Sequence, residues 1–283
     1  MCRHLAYLGP PVRLSELILD PPHSLYRQSW APADMRAGGS VNADGFGIGW
    51  YDAEGELVRY RRSVPIWADE SLPGLARSIR SGAVLAALRN GTVGMPLTEG
   101  AVAPFQADGW LFSHNGLISG WPGSISKAAE RLPVSDLLTL DAPVDSALLW
   151  ALIRDRLRSG VPGAEAVASV VTEVAAAAPG SRLNVLLTDG RQIIATSWTH
   201  ALSVRRTAAS VAVSSEPWSI GSEFQAAGTE LPSADGWQPV PDHSLLLATR
   251  TSLAVTPLLA TRDPDGLGPA GPPPEALPME GRQ

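Results

Sequence analysis

Apolar and polar positions change their period twice along the chain. Residues 2–8 alternate loosely and predict a strand. Phe46–Tyr51 and Leu57–Arg62 predict two more, joined by the turn Asp52-Ala53-Glu54-Gly55. Glu70–Arg80 is helix-like, and Ala83–Arg89 is an apolar run of strand length that ends in a charge. Trp110–His114 predicts a further strand, which the turn-forming pair Asn115-Gly116 is expected to stop. The middle of the chain then takes a helical pattern: Ser124–Leu132, Asp145–Leu157 with Asp145 as a candidate N-cap, and Ala164–Ala178, closed by Pro179-Gly180. Strand patterns return afterwards. Leu183–Thr188 and Arg191–Trp198 flank Asp189-Gly190, the strongest hairpin signal present, and Leu202–Arg206, Val211–Ser214, Ser244–Ala248 and Ser252–Thr256 follow.

Residues 20–45, rich in Pro, Ser, Gly and Asp, read as a long loop. From Arg262 the chain is Pro/Gly-rich with few apolar residues, so 262–283 is expected to be a disordered tail. The order strands, helices, strands fits two sheets with helices on their outer faces better than alternating βαβ units. The expected fold is therefore α+β, a four-layer αββα sandwich in one domain over residues 2–261.

Composition narrows the function classes. With 45% hydrophobic residues in 283, a sizeable core is available. No apolar run reaches the length of a membrane span, and Arg3, His4 and the early Pro10-Pro11 do not fit a signal peptide. The net charge is −6 with no basic stripe, which argues against nucleic acid as a partner. Five scattered histidines lack zinc-ligand spacing and no phosphate-cradling glycine loop is present, so neither a metal nor a cofactor is expected. Nine tryptophans against four phenylalanines admit two readings, core packing or aromatic walls for a cationic ligand. Trp30 and Trp50, which flank the glycine-rich segment Asp44–Gly49, are the candidates for the second.

Cys2 is the only cysteine, which excludes an intramolecular disulfide and fits a reducing cytoplasm. Its position matters more. Removal of the initiator methionine would give one residue both a thiol and a free α-amine. An α-amine titrates near about 7.7–8.0, so it can take the thiol's proton and serve as the nucleophile's own base. Other features carry possible chemistry. Arg89, at the end of an apolar strand, either pairs with a carboxylate or points into a cleft as a bidentate partner for a ligand carboxylate. Asn115 beside Gly116 is either a turn or a pair of donors for a developing oxyanion. Asp145 is either a helix cap or a fixed anion.

Taken together and in order, Cys2, Asp44–Gly47, Arg89 with Gly94-Met95-Pro96, His114–Gly116, Asp145 and Ser215-Glu216-Pro217 resemble the class II glutamine amidotransferase family of N-terminal-nucleophile hydrolases over roughly residues 2–257. The resemblance implies that Cys2 is the nucleophile, that Asn115 and the Gly116 N–H form the oxyanion hole, that Arg89 holds the α-carboxylate of a glutamyl group and that Asp145 holds its α-ammonium. One departure is Val93, where ammonia-transferring relatives carry histidine, and no second domain to consume ammonia is apparent. The opening segment is similar to a branch of stand-alone hydrolases that cleave a γ-glutamyl amide whose leaving group bears a trimethylammonium. The expected partner is thus a small γ-glutamyl substrate, with Trp30 and Trp50 facing the cation. The alternatives are a glutaminase subunit feeding ammonia to a separate synthase, and an inactive relative used as a binding module.

Overall fold

The computed structural model describes residues 2–34, 41–218 and 236–258. Strand β1 (Arg3–Arg13) runs into helix α1 (Leu14–Ile18), followed by α2 (Leu25–Gln28), the hairpin β2 (Phe46–Tyr51) and β3 (Leu57–Arg62), then α3 (Leu72–Ser78) and β4 (Arg80–Leu88). Strands β5 (Phe105–Ala107) and β6 (Trp110–Leu117) lead to the helices α4 (Ser126–Ala129), α5 (Val134–Leu138), α6 (Asp145–Arg158) and α7 (Gly163–Ala177). The last strands are β7 (Arg182–Thr188), β8 (Gln192–Ser197), β9 (Ser203–Arg206), β10 (Val211–Ser214), β11 (Trp237–Pro239), β12 (Ser244–Thr249) and β13 (Leu253–Pro257). They form a seven-stranded sheet, β11-β9-β10-β1-β4-β2-β3, and a six-stranded one, β13-β12-β8-β7-β6-β5.

Alternation along the strands builds the layers. Successive side chains point to opposite faces, so Ala6 and Leu8 of β1 and Ala83 and Leu85 of β4 meet Leu111, Leu186, Ile193 and Ala195 in a core between the sheets. The opposite faces of β1 and β4, with Leu5, Tyr7, Val84 and Ala86, pack under α1 and α3 through Leu14, Leu17, Ile18 and Leu72. On the other side Phe112, Val185, Leu187 and Ile194 carry α6 and α7 through Leu149, Trp150, Ile153 and Val170. Each fully buried side chain of this size contributes about 1.5–3 kcal/mol. The result is the expected αββα sandwich. Among the described residues no helix is long and apolar enough to cross a membrane.

Three local expectations change. Asn115-Gly116 does not end a strand: β6 continues to Leu117, with Asn115 opposite Asn184 and Gly116 opposite Leu183. Ladder pairing overrides the turn preference of the pair. Gly116 is there for closeness, since a Cβ would lie 1.8 Å from the Arg182 carbonyl oxygen. The residues from 70 to 80 form a shorter helix, because Arg80 already pairs with Arg13 in the sheet. The long loop contains α2, started by Ser24, whose hydroxyl accepts from the Arg27 N–H at 3.4 Å. The glycine-rich start of β2 allows a close approach, as its sequence implied: a Cβ on Gly47 would stand 2.2 Å from the Ala103 carbonyl oxygen. The expected tail, 262–283, lies outside the described residues.

Two histidines are sealed into this scaffold. His4 follows the inward face of β1 and sets Nδ1 3.1 Å from the Ser113 hydroxyl. Burial, together with the neighbouring His114, His200 and Arg3, pushes its pKa down to about 3. Burial and Arg182 push His200 down to about 4. Both stay neutral in the fold, while in the unfolded chain they titrate near 6.5. Below that value the unfolded state binds more protons, so stability present above pH 6.5 is lost as pH falls towards 4. The melting temperature is expected to drop across this window, with up to two protons taken up on unfolding, and His4→Gln should flatten the slope. Melting curves that do not move with pH in this range would contradict neutral burial.

Candidate active site

The same alternation decides where the candidate residues point. On β1 the inward positions are Ala6 and Leu8, so His4 and Cys2 share their side. On β4 they are Ala83 and Leu85, so Arg89, just past the strand, points the same way. On β6 the inward set is Leu111, Ser113 and Asn115, as the contacts of Leu111 with the inter-sheet core, Ser113 with His4 and Asn115 with Ser215 require. The ends meet in register, because Arg3 pairs with Leu88 and Leu88 with Phe46. Cys2, Arg89 and Asn115 are thus brought to one end of the sandwich, between the sheets.

Cys2 lies directly against the turn after β4. Its sulfur is 3.5 Å from the Asn90 backbone nitrogen, which donates to it, and 3.7 Å from the Asn90 carbonyl oxygen. That turn is held from the far side by Asp44: its carboxylate accepts from the Gly91 N–H at 2.7 Å, and its own N–H donates to the Arg89 carbonyl at 3.1 Å. The Arg89 N–H in turn donates to the Gly45 carbonyl at 2.8 Å. Arg89 is only 8% exposed, yet its Nη1 has no hydrogen-bond partner among the described residues. A guanidinium rarely stays buried without an anion, and no anionic partner for this one is found among the described residues.

Asp145 is the first residue of α6, and Val144 takes the cap position. Its carboxylate accepts from the Ser146 N–H at 2.7 Å and from the Ile118 N–H at 2.9 Å, so it braces the exit of β6 as well as the helix start. It borders a cleft of about 480 Å³ whose other walls are Thr92–Met95, Leu117-Ile118 and Trp121. Its lining includes neither Cys2 nor Arg89 nor Asn115, so among the predicted site residues only Asp145 borders it. Val93 is fully exposed at its lip. His114, the neighbour of Asn115, is committed to structure: Nε2 donates to the Arg182 carbonyl at 2.8 Å, and Nδ1 lies 3.0 Å from the Ser146 hydroxyl.

The two tryptophans fare differently from expectation. Trp50 is a correction: it is 7% exposed within the core under α1 and α3, opposite Val84. That row lies four residues, about 13 Å, from the Leu88 row at the nucleophile end. Nearness in sequence to a glycine motif did not reveal that a strand would carry this ring away. Trp30 is partly exposed, with Tyr26 and Trp67 edge-on at 4.8 and 5.8 Å and the Arg27 guanidinium 5.4 Å over its ring. Trp121, which lines the cleft, carried no sequence signal beyond its type. Most of the tryptophan excess is packing, as in Trp150 stacked on Phe112 at 5.4 Å.

The structure adds a hub that the sequence left without a role. Arg3 and Glu216, 2% and 3% exposed, form an ion pair at 2.8 Å. Arg3 also donates to the Cys2 carbonyl at 3.0 Å and to the Asp34 carbonyl. Glu216 accepts from the Ala33 and Asp34 N–H groups at 2.9 and 3.1 Å and meets His23 Nε2 at 2.5 Å. Burial pushes the Glu216 carboxyl up, but His23, the Ala33 N–H, the Arg3 charge and the Asp34 N–H outweigh it and hold the group below its ordinary value. The residue before it, Ser215, bonds His4 and Asn115.

A thiol at the second residue, a buried guanidinium with one nitrogen unpartnered among the described residues, and a glycine-backed asparagine lie at one end of two packed antiparallel sheets. Residues 23–216 match the family model of class-II glutamine amidotransferases, and the chain belongs to that family. Among curated proteins it is 38% identical over 258 residues to a gamma-glutamyl-hercynylcysteine sulfoxide hydrolase of Mycolicibacterium smegmatis, covering 91% of this chain and 100% of the relative. It is 37% identical to the protein of that name from Mycobacterium tuberculosis, covering 93% and 100%. Two solved structures share the fold: a class-II domain protein from Silicibacter pomeroyi (TM-score 0.61, 22% identity, 91% and 99% covered) and the glutamine phosphoribosylpyrophosphate amidotransferase of B. subtilis (0.62, 13%, 91% and 49%).

Two substitutions test this site. Gly116→Ala drives a methyl into the Arg182 carbonyl oxygen at 1.8 Å. It should cost at least about 1–3 kcal/mol and lower turnover by shifting Asn115; wild-type stability and activity would show that β6 and β7 are not so close. Glu216→Gln leaves a buried guanidinium short of its anion and should destabilise by about 3–5 kcal/mol in denaturant titrations. A change below about 1 kcal/mol would show the pair to be solvated.

Proposed function

We propose that this protein hydrolyses the γ-glutamyl amide of γ-glutamyl-hercynylcysteine sulfoxide, releasing glutamate and hercynylcysteine sulfoxide. Two near full-length relatives bear the name of that activity. The observation that carries the reading is Arg89, a buried guanidinium with an unpartnered nitrogen at the same end as the only thiol.

With Met1 removed, the Cys2 α-amine takes the thiol proton, directly or through a water, and the thiolate attacks the γ-carbonyl carbon. Negative charge develops on the carbonyl oxygen, facing the Asn115 amide and the Gly116 N–H. The Cys2 α-ammonium passes its proton to the leaving amine as the intermediate collapses, the C–N bond breaks and a glutamyl thioester remains on Cys2. Water, deprotonated by the now neutral Cys2 α-amine, attacks the thioester, and that proton returns to the departing thiolate. Arg89 holds the α-carboxylate with a planar fork and Asp145 the α-ammonium, so the zwitterionic head is fixed by one cation and one anion. The leaving group lies beyond the scissile bond. Trp30, on the segment that Glu216 anchors, is the aromatic assigned to its trimethylammonium, which would compete with Arg27 for the ring.

Cys2→Ala should abolish hydrolysis without unfolding the protein. Intact-mass analysis after incubation with a glutamine-analogue electrophile should show one adduct, on Cys2, in a chain lacking Met1. Turnover by Cys2→Ala at the wild-type rate would end the thioester mechanism. Arg89→Lys should raise KM strongly, and Asp145→Asn should weaken the normal substrate while leaving an analogue without the α-amine nearly unchanged. Equal losses for both would reduce Asp145 to a structural brace. An aromatic face is worth about 2 kcal/mol to a desolvated cation, roughly 30-fold at 1.4 kcal/mol per decade. Trp30→Leu should therefore erase up to that preference for the N-methylated over the unmethylated substrate. If wild type takes both, and plain glutamine, with similar kcat/KM, an ammonia-donating glutaminase becomes the better reading.

A further inference from the structure

We propose that Ser215 is a positioning residue for the oxyanion hole, acting only through Asn115; the proposal rests on the hydrolase reading above. Ser215 is 3% exposed and stands where the two sheets meet at the nucleophile end. Its N–H donates to the His4 carbonyl at 2.9 Å, which continues the β10–β1 ladder one residue past the Ser214–Leu5 pair. Its hydroxyl oxygen accepts from the His4 N–H at 3.0 Å and from Asn115 Nδ2 at 3.2 Å. One oxygen atom thus joins the strand that carries the nucleophile to the side chain that receives the oxyanion.

No other described group holds that amide. Asn115 is 1% exposed and its Oδ1 has no hydrogen-bond partner. The polar neighbours are engaged elsewhere. Asn184, opposite it in the ladder, spends Oδ1 on the Trp198 and His200 N–H groups and Nδ2 on the His200 carbonyl. His114 is bonded to Arg182 and Ser146, and Ser113 to His4. An asparagine amide can rotate about its last torsion and can present either end. With one Nδ2 hydrogen fixed on Ser215, rotation is stopped and the nitrogen end is selected. The second hydrogen of the same nitrogen is left as the free donor for developing charge. Ser215 is itself immobile, since its backbone is bonded to His4 and the next residue is the buried partner of Arg3. Preorganisation of this kind acts on the transition state and not on substrate binding.

The test compares Ser215→Ala, Ser215→Thr and Ser215→Cys with Asn115→Ala in steady-state hydrolysis. Ser215→Ala should lower kcat roughly 10-fold, less than the 10²–10³-fold for losing the donor itself, with KM within about twofold. Ser215→Thr, which keeps the hydroxyl, should recover most of kcat. Ser215→Cys, close in size but a weak acceptor, should behave like Ser215→Ala and guards against a merely misfolded alanine variant. Alkylation of Cys2 by iodoacetamide needs no oxyanion hole and should keep its wild-type rate in Ser215→Ala and Ser215→Thr, where Cys2 is still the only thiol. In an Asn115→Ala background, Ser215→Ala should add no further loss, because a residue that works through the amide has nothing left to position. Wild-type kcat in Ser215→Ala, a full additional loss on top of Asn115→Ala, or slowed alkylation would each overturn the proposal. So would wild-type kcat in Asn115→Ala, whereas the hydrolase reading itself fails on a different variant, Cys2→Ala.

Discussion

The buried pair of Arg3 and Glu216 is the contact on which the site depends. Two charges taken out of water are costly unless every donor and acceptor is used. Here the Arg3 guanidinium reaches Glu216, the Cys2 carbonyl and the Asp34 carbonyl, and Glu216 gathers His23 and two backbone N–H groups besides. Three chain segments far apart in sequence therefore have one geometry in which the charges are satisfied: the start of β1, the residues after β10 and the loop around Ala33. Cys2, the proposed nucleophile, is next in sequence to Arg3, and its carbonyl is one of the acceptors. Its backbone is consequently held by a member of the ion pair.

The sheets then sort the chemistry by parity. Arg3 and Leu5 face the layer of α1 to α3, while Cys2 and His4 face the other sheet. Ser215 follows His4 and Glu216 follows Arg3, so one dipeptide serves both faces of β1. A one-residue slip in any of these ladders would exchange the two faces and would turn Ser215 away from Asn115. The hydrogen bonds of β6 with β7 through Asn115 and Gly116 make such a slip expensive. The space between the sheets is accordingly polar at the Cys2 end and apolar further in. At the polar end burial keeps His4 and His200 neutral and His4 bonds Ser113, so the fixed positive charge at the turn is that of Arg89.

Much of this was legible in the amino-acid order. The change from strand to helix to strand patterns determined the layered architecture, since each element must bury one face. The thiol at position two, the strand-end Arg89, the Asn115-Gly116 pair and Asp145 were singled out by their joint resemblance to the class II glutamine amidotransferase family, because residue type alone left each an ordinary structural reading. Hairpin residues such as Asp189-Gly190 encode their turn locally and fell where expected.

What the order of residues left open was decided by contacts between distant segments. Asn115-Gly116 has the local preferences of a turn, and only pairing with β7 makes it a strand. Trp50 directly follows a glycine motif that Trp30 precedes at a distance, yet strand direction carries the nearer ring into the core and leaves the other on the surface loop. Ser215 and Glu216 could be noted as a motif but not given work, because their partners lie 100 and 213 residues away. Side-chain chemistry and local periodicity are properties of the sequence itself. Which polar atoms finish opposite one another depends on sheet register and layer packing, where the free energy of burial is shared among residues that no local window contains.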